Sequence, residues 1–499
     1  MKLSTLDLAV IGLYFLVISA IAWSSRAAEH EGSRQFMLGE RKIPWWAAML
    51  SIIGTELSAL SFVGVPAYAF SRTGNFTYLM AGVGLVLARI IVSRWFVPAY
   101  YAHNVISIYE LLEHRFGPLT RNAGVAVFMF TRVAMSGVRL YAGSIVIQQA
   151  GGLSWQVAIV LTTLVGMVYT IVGGIKSVIW TEVLQVCVMF GGAVLAAVVL
   201  FTALPDGWAS VQAATAGLEP PKFQLLDWRF DLFAEDQEFS VWACLIGMTF
   251  FNLSIMGTDY DMVQRMLTTK DEARSARAVI TSALADLPLS ALFLTIGVLL
   301  FTYYGVFPDP TLPMEDGSVV AKRVFPHFIV TRMPPIAAGL VVAGIVSVAL
   351  SSFQSALNAL STSFTVDVYR RYIGRDLPDE RYVAVTRLAT VGFAVLLMGV
   401  AFATSRTKNI LVLGLEIPSY TYCAMLGVFV AGIFTRRGND RSAVAAIVLT
   451  IPFVLLACHR WWGIAWTWNA AFGTIFSFIL AVLPGRTARA EACEAEGSS

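Results

Sequence analysis

About thirteen stretches of roughly 18 or more mostly apolar residues run through this chain, near 5–25, 44–70, 77–97, 122–149, 155–173, 178–203, 239–259, 276–304, 334–363, 384–404, 410–434, 441–458 and 464–484. A run of about 20 apolar residues is the length at which one α-helix crosses a hydrocarbon core, where every backbone polar group must be satisfied within its own segment. The pattern predicts an all-α integral membrane protein of about 13 transmembrane helices. Only 13% of the residues are charged, against about 25% in an ordinary soluble domain, so a soluble globule is excluded. The interruptions at 206–238, 264–277, 307–332 and 370–381 are expected to be loops or interfacial turns.

An odd number of spans puts the termini on opposite sides, and the placement of Lys and Arg chooses between them. Of the 35 basic residues, 22 fall in one set of loops with the C-terminal tail, 10 in the other, and Arg89, Arg132 and Arg139 lie within spans. The C-terminus is therefore predicted in the cytoplasm and the N-terminus outside, and the acidic 204–238 loop faces outward. The first run lacks the basic start and small-residue cleavage site of a signal peptide and is expected to be retained. A formal net charge of +3 without a basic tract gives no ground for nucleic-acid binding, and no protein partner is implied. The five His and five Cys are dispersed and form no HExxH, CxxC or mixed cluster, which argues against a metalloenzyme. About 15 residues follow Pro484, too few for the output domain of a membrane sensor.

Ionisable groups at bilayer depth are costly and mark function by default. They are Glu56, Arg89, Arg132, Arg139, Glu182, Asp259, Asp286 and Glu416. Arg89 is expected to snorkel to the cytoplasmic interface near Arg94, and Arg132 lies only about three turns into its helix. Arg139 sits deeper. Its guanidinium stays charged, so it is expected either to bind an anionic ligand or to pair permanently with Glu56 or Glu416; the residues alone leave both open. Hydroxyls cluster at Ser351, Ser352, Ser355, Ser361 and Ser363, and again at Thr55, Ser58 and Ser61. With carbonyls freed by a helix break they would replace the hydration shell of a hard cation; the alternative is packing through small residues. Gly54, Gly64 and Pro66 in one span, and Gly247, Asn252 and Gly257 five spans later, point to paired breaks at corresponding places of two repeats.

Five segments in order, WWAAMLSIIGTELSALSFVG (45–64), GGIKSVIWTEVLQ (173–185), NLSIMGTDYDMVQRMLTTKD (252–271), SSFQSALNALSTSFTVDVYRRY (351–372) and GIFTRRGND (432–440), resemble the sodium/solute symporter family. The resemblance implies a five-plus-five inverted-repeat, LeuT-like core with one extra N-terminal and two extra C-terminal helices. It divides the chain into 1–43 (extra helix and cytoplasmic loop), 44–203 and 239–434 (the repeats), 204–238 (extracellular loop), 435–484 (two further helices) and 485–499 (disordered tail). It implies a co-transported sodium ion held by the carbonyls of Gly54, Leu57 and Val348 and the hydroxyls of Ser351 and Ser352. Some members hold a second sodium with an aspartate where this chain has Glu182, so Glu182 and Ser355 are a candidate second cation or proton site. Asn252 matches an asparagine of the sugar-transporting branch, but Ser61 and Asp286 replace other sugar ligands. Sialic acid transporters of the family grip a carboxylate with an arginine and nearby hydroxyls, which points to Arg139, Ser58 and Ser61. The expected activity is sodium-coupled import of a small organic solute by alternating access. A monocarboxylate, sialic or sugar acid is favoured over a neutral sugar, polyol or amino acid. Glu56 and Glu416 are expected to neutralise Arg139 when no solute is bound, and no covalent chemistry is needed.

Overall fold

Ser4 and Asp7 close a capping box at the start of α1 (Thr5–Ser24), satisfying the free N–H groups of its first turn. The computed structural model describes residues 4–25, 41–57, 59–103, 107–151, 153–233, 237–315, 317–405 and 410–483. The second apolar run is two helices, α2 (Trp45–Glu56) and α3 (Ala59–Phe70), bent by 61°. The break falls at Leu57, whose backbone is extended (φ −65°, ψ 138°), and not at Gly64 or Pro66, which lie inside α3. Next come α4 (Ala81–Ile91), α5 (Val97–Ala102), the short α6 (Tyr109–Arg115), α7 (Pro118–Gly151) and α8 (Trp155–Thr202). Gly174 bends α8 with φ 58° and ψ −166°, a conformation that L side chains rarely adopt, and so separates the two spans predicted there.

The expected outward loop carries a short helix, α9 (Trp208–Thr215). The run predicted at 239–259 forms a π-helical stretch, Ala243–Met248, and α10 (Thr249–Thr258). That span breaks at Asp259 (φ −82°, ψ 120°), whose carboxylate caps α11 (Tyr260–Leu267) by accepting the Asp261 N–H at 2.9 Å. The segment expected to be a loop from 264 therefore begins inside a buried helix. α12 (Glu272–Val306) follows; then, where a loop was expected, a two-strand antiparallel hairpin, β1 (Met314–Glu315) and β2 (Ser318–Val319), leads into α13 (Ala321–Arg332). The remaining helices are α14 (Ala337–Ser363), α15 (Asp379–Thr404), α16 (Ile410–Phe434), α17 (Asp440–Pro452) and α18 (Trp466–Val482).

Among the described residues nine helices are long and apolar enough to cross a membrane, and the bent α2–α3 pair makes a tenth. Three shorter apolar helices, Trp155–Ile171, Ala243–Thr258 and Trp466–Val482, occupy predicted spans as well. At the centre is α14, without a charged residue and almost wholly buried, as a helix surrounded by other helices must be. Its most extensive packing is with α8. α1 fixes its near end: Asp7 Oδ1 accepts the Ile336 and Gly339 N–H groups, both at 2.8 Å, and Ser347 donates to Tyr14 at 2.6 Å. Gly297 lets α12 press on α3, since a Cβ there would lie 2.3 Å from the Pro66 carbonyl oxygen.

Candidate functional site

A helix that stops inside a membrane leaves its last carbonyls without intrahelical partners. At the end of α2 these carbonyls meet α14. Ser351 Oγ donates to the Gly54 oxygen at 2.9 Å, and Ser352 Oγ donates to the Leu57 oxygen at 2.9 Å, with all four residues buried. Val348 is buried one turn before Ser352. Four of the five expected sodium-ligating groups thus come together in pairs, and the carbonyl end of the α2 dipole favours a cation there. A hydroxyl has one proton and two lone pairs, so each serine that now donates to a carbonyl can rotate its proton away and present oxygen to an ion.

The second break is sealed differently. Tyr100 donates to the Gly257 carbonyl, and Tyr109 to the Thr258 carbonyl at 3.2 Å. Asp259 accepts from Arg132 and from Tyr422, each at 2.9 Å, and Arg132 also pairs with Asp261. Arg132 is 1% exposed, so it is no interfacial cation. From Asp261 the charges continue through Arg265 (2.5 Å) to Glu182 (2.8 Å). Glu182 also accepts from Ser51 and Ser355, and Thr55 lies 3.4 Å from it. The expected pair, Glu182 and Ser355, is brought together, but around a resident cation: Arg265 donates to Ser355 at 2.6 Å as well. Nothing in its sequence position among loop basics marked Arg265 as buried, apart from an acid one helical turn earlier.

Between the breaks lies a cavity of about 280 Å³, near the lower end of the usual range for small-molecule sites. Arg139, Glu56, Ser61 and Asn252 line it, together with Asp286 and Arg132. Its lining includes Glu238, Phe239 and Trp466, beside the 204–238 segment, and Arg132, which holds Asp259 at the second break. Arg139 does not pair with Glu56, as one sequence reading had it. Glu56 pairs with Arg89, which is fully buried and does not snorkel, and which also donates to Ser282. Glu416 is half-buried, and its neighbours Gly414 and Pro418 line the cavity in its place. Among the described residues Arg139 forms no ion pair, and its one hydrogen bond is a long 3.5 Å contact to the Thr55 carbonyl. Ser58 lies outside the described residues. The Asn252 amide donates to Met248 O at 2.8 Å, which leaves its oxygen as an acceptor on the cavity wall.

Residues 36–450 match the sodium:solute symporter family. The chain belongs to that family. A symporter of this family is a sodium-coupled membrane transporter, so sodium is its co-transported cargo. This symporter is 30% identical to the sodium/sialic acid symporter SiaT of Proteus mirabilis, over 85% of this chain and 83% of that one. It is 25% identical to the sodium/glucose cotransporter of Vibrio parahaemolyticus, over 91% and 85%. A solved structure of a Na+-coupled sialic acid symporter in a substrate-bound outward-open state superposes with a TM-score of 0.84 at 27% identity, covering 96% and 97% of the two chains. The nucleobase-cation symporter Mhp1, at TM-score 0.57 and 12% identity, shares the fold.

Proposed function

We propose that this symporter imports a small carboxylate-bearing solute, a sialic acid, sugar acid or monocarboxylate, with Arg139 as the carboxylate clamp. The observation that carries the reading is a guanidinium in the cavity with no carboxylate partner among the described residues, touching the carbonyl of Thr55. Thr55 sits between Gly54 and Leu57, the two carbonyl donors of the sodium site. A guanidinium presents a planar fork that matches a carboxylate, and Ser61 and Asn252 supply further polar contacts. The relatives named as sialic acid symporters support the same class of solute.

Opposite charge supplies the coupling. A sodium ion on Gly54, Leu57, Val348, Ser351 and Ser352 brings one positive charge into the buried site, and a carboxylate on Arg139 offsets it. Each ligand therefore raises the affinity for the other by the same factor. Glu182 and Ser355, in this reading, are a cation site filled by Arg265, which leaves one coupling ion. The protein sits in the plasma membrane with thirteen spans, the N-terminus outside and the C-terminus in the cytoplasm. The cavity then opens outward, and inward release requires the Arg132–Asp259 and Arg265–Glu182 contacts to part.

The test is uptake into proteoliposomes under a sodium gradient, with N-acetylneuraminate, gluconate, lactate, galactose and proline as probes. An acid is expected to be carried, and Arg139→Gln is expected to cut its uptake at least tenfold while Arg139→Lys restores part of it. Transport of galactose alone, or full activity of Arg139→Gln, overturns the reading.

A further inference from the structure

The cavity has a second charged wall that carboxylate binding leaves idle. Asp286 and Ser290 of α12 both line it, four residues apart on one face of the helix. Ser290 Oγ donates to Asp286 Oδ2 at 3.3 Å, the one hydrogen bond the carboxylate receives among the described residues. An ionised carboxylate offers about four lone-pair sites. The cation with the clearest electrostatic claim on it, Arg89, is committed elsewhere: it is fully buried, donates to Glu56 and Ser282, and forms no ion pair with Asp286. On this wall two acids, Glu56 and Asp286, stand against one guanidinium. To stay ionised at membrane depth, a carboxylate with a single hydroxyl partner needs water or a ligand to bring donors to it.

We propose that the cavity reads both ends of its solute, with the carboxylate on Arg139 and O–H or N–H donors remote from that carboxylate on Asp286 and Ser290. This rests on the carboxylate reading above and narrows it. A plain alkanoate would satisfy Arg139 and strip water from Asp286 without replacing the donors. A hydroxylated acid or an ω-amino acid supplies them. A site built to hydrogen-bond such groups discriminates strongly against analogues that lack them, because its own polar atoms are left unpaired. The free lone pairs of Asp286 accept from neutral hydroxyls as well as from an ammonium, so the two donor types share one chemistry and the variants separate them.

The experiment is binding to the purified protein in saturating sodium, by titration calorimetry, with hexanoate, gluconate and 6-aminohexanoate as matched probes. Gluconate or 6-aminohexanoate is expected to bind at least about tenfold tighter than hexanoate, a margin worth about 1.4 kcal/mol. Asp286→Leu is expected to erase that margin and leave hexanoate affinity within about threefold. Asp286→Asn keeps an acceptor, so it should retain the gluconate margin and lose the 6-aminohexanoate margin. The proposal is overturned if neither donor-bearing acid outbinds hexanoate, or if the margin survives Asp286→Leu. Failure of the carboxylate reading looks different: gluconamide would then bind as tightly as gluconate, and Arg139→Gln would leave all three acids unaffected. Stabilisation by sodium, whose ligands lie on α2 and α14, reports that each variant is folded; should Asp286→Leu lose it, Asp286→Asn and Ser290→Ala carry the test.

Discussion

Arg265 and Glu182 meet at 2.8 Å with neither side chain exposed, in the place where the sequence suggested a second cation site. Arg265 reaches across from α11, the latter half of the second broken span, to α8, and its other nitrogen holds Asp261 at 2.5 Å. Removing one partner of such a buried set strands the other charges. Arg265→Ala should therefore lower stability by about 3–5 kcal/mol, and Glu182→Gln in the same chain should recover part of the loss. Thermal unfolding of the two single variants and the double variant reads the coupling. An Arg265→Ala protein as stable as the parent would remove the assignment.

If Arg265 fills the carboxylate at 182, a single sodium ion drives each cycle. Uptake should then rise hyperbolically with sodium, with a Hill coefficient of about 1. Reversal-potential measurements should give one sodium per solute. A sigmoidal sodium curve would place a second ion in the protein.

The two serine–carbonyl contacts at 2.9 Å lie where the proposed sodium site would form. Ser352→Ala removes one ligand and leaves the Leu57 carbonyl without its donor. Sodium-stimulated uptake should fall at least tenfold, with insertion into the membrane unchanged. Full coupling in this variant would move the sodium site elsewhere.

Gly174 holds a positive φ at the kink of α8. Gly174→Ala forces a side chain into that conformation, and the expected cost is about 1–3 kcal/mol of stability. Because the kink places Glu182 and Val186 against Gly54, the sodium concentration for half-maximal uptake should rise too. The check is a melting curve beside a sodium titration.

Outside the spans, Glu113 of α6 bonds Arg371 at 2.6 Å through both oxygens and receives Arg121 at 2.6 Å. The Arg371 hydrogen bond, with Arg121 behind it, holds its carboxyl down at about 2, below the ordinary 4.5. A carboxylate lowered in this way stabilises the fold above the ordinary value and loses that contribution as pH falls toward 2. Glu113→Gln should cost on the order of 1 kcal/mol near neutrality and should flatten the loss of stability below pH 4.5. Parallel acid limbs in parent and variant would show that the cluster contributes nothing.

The apolar runs could be read without a structure because a spanning segment has to announce itself locally: its length and the scarcity of charge are properties of consecutive residues. The same holds for the separation of the two α8 spans, which the gap between the runs 155–173 and 178–203 marked, and for the adjacent serines of α14. The breaks were harder. Gly64 and Pro66 looked like breakers, yet the chain unwinds at Leu57, whose carbonyl finds Ser352 about 300 residues away. Loop segments hid α9, α11 and α13, since helices that pack sideways need no long apolar run.

What the sequence settled alone was the class of protein, the approximate places of its spans and the residue types able to hold sodium. Tertiary structure decided which charges face which. Arg89 goes to Glu56, Arg132 to Asp259 and Asp261, Arg265 to Glu182, and Arg139 is left for the cavity. The physical reason is that a buried charge chooses its partner by distance in a medium that screens poorly, and distance between helices is fixed by packing, which no local pattern of residues records.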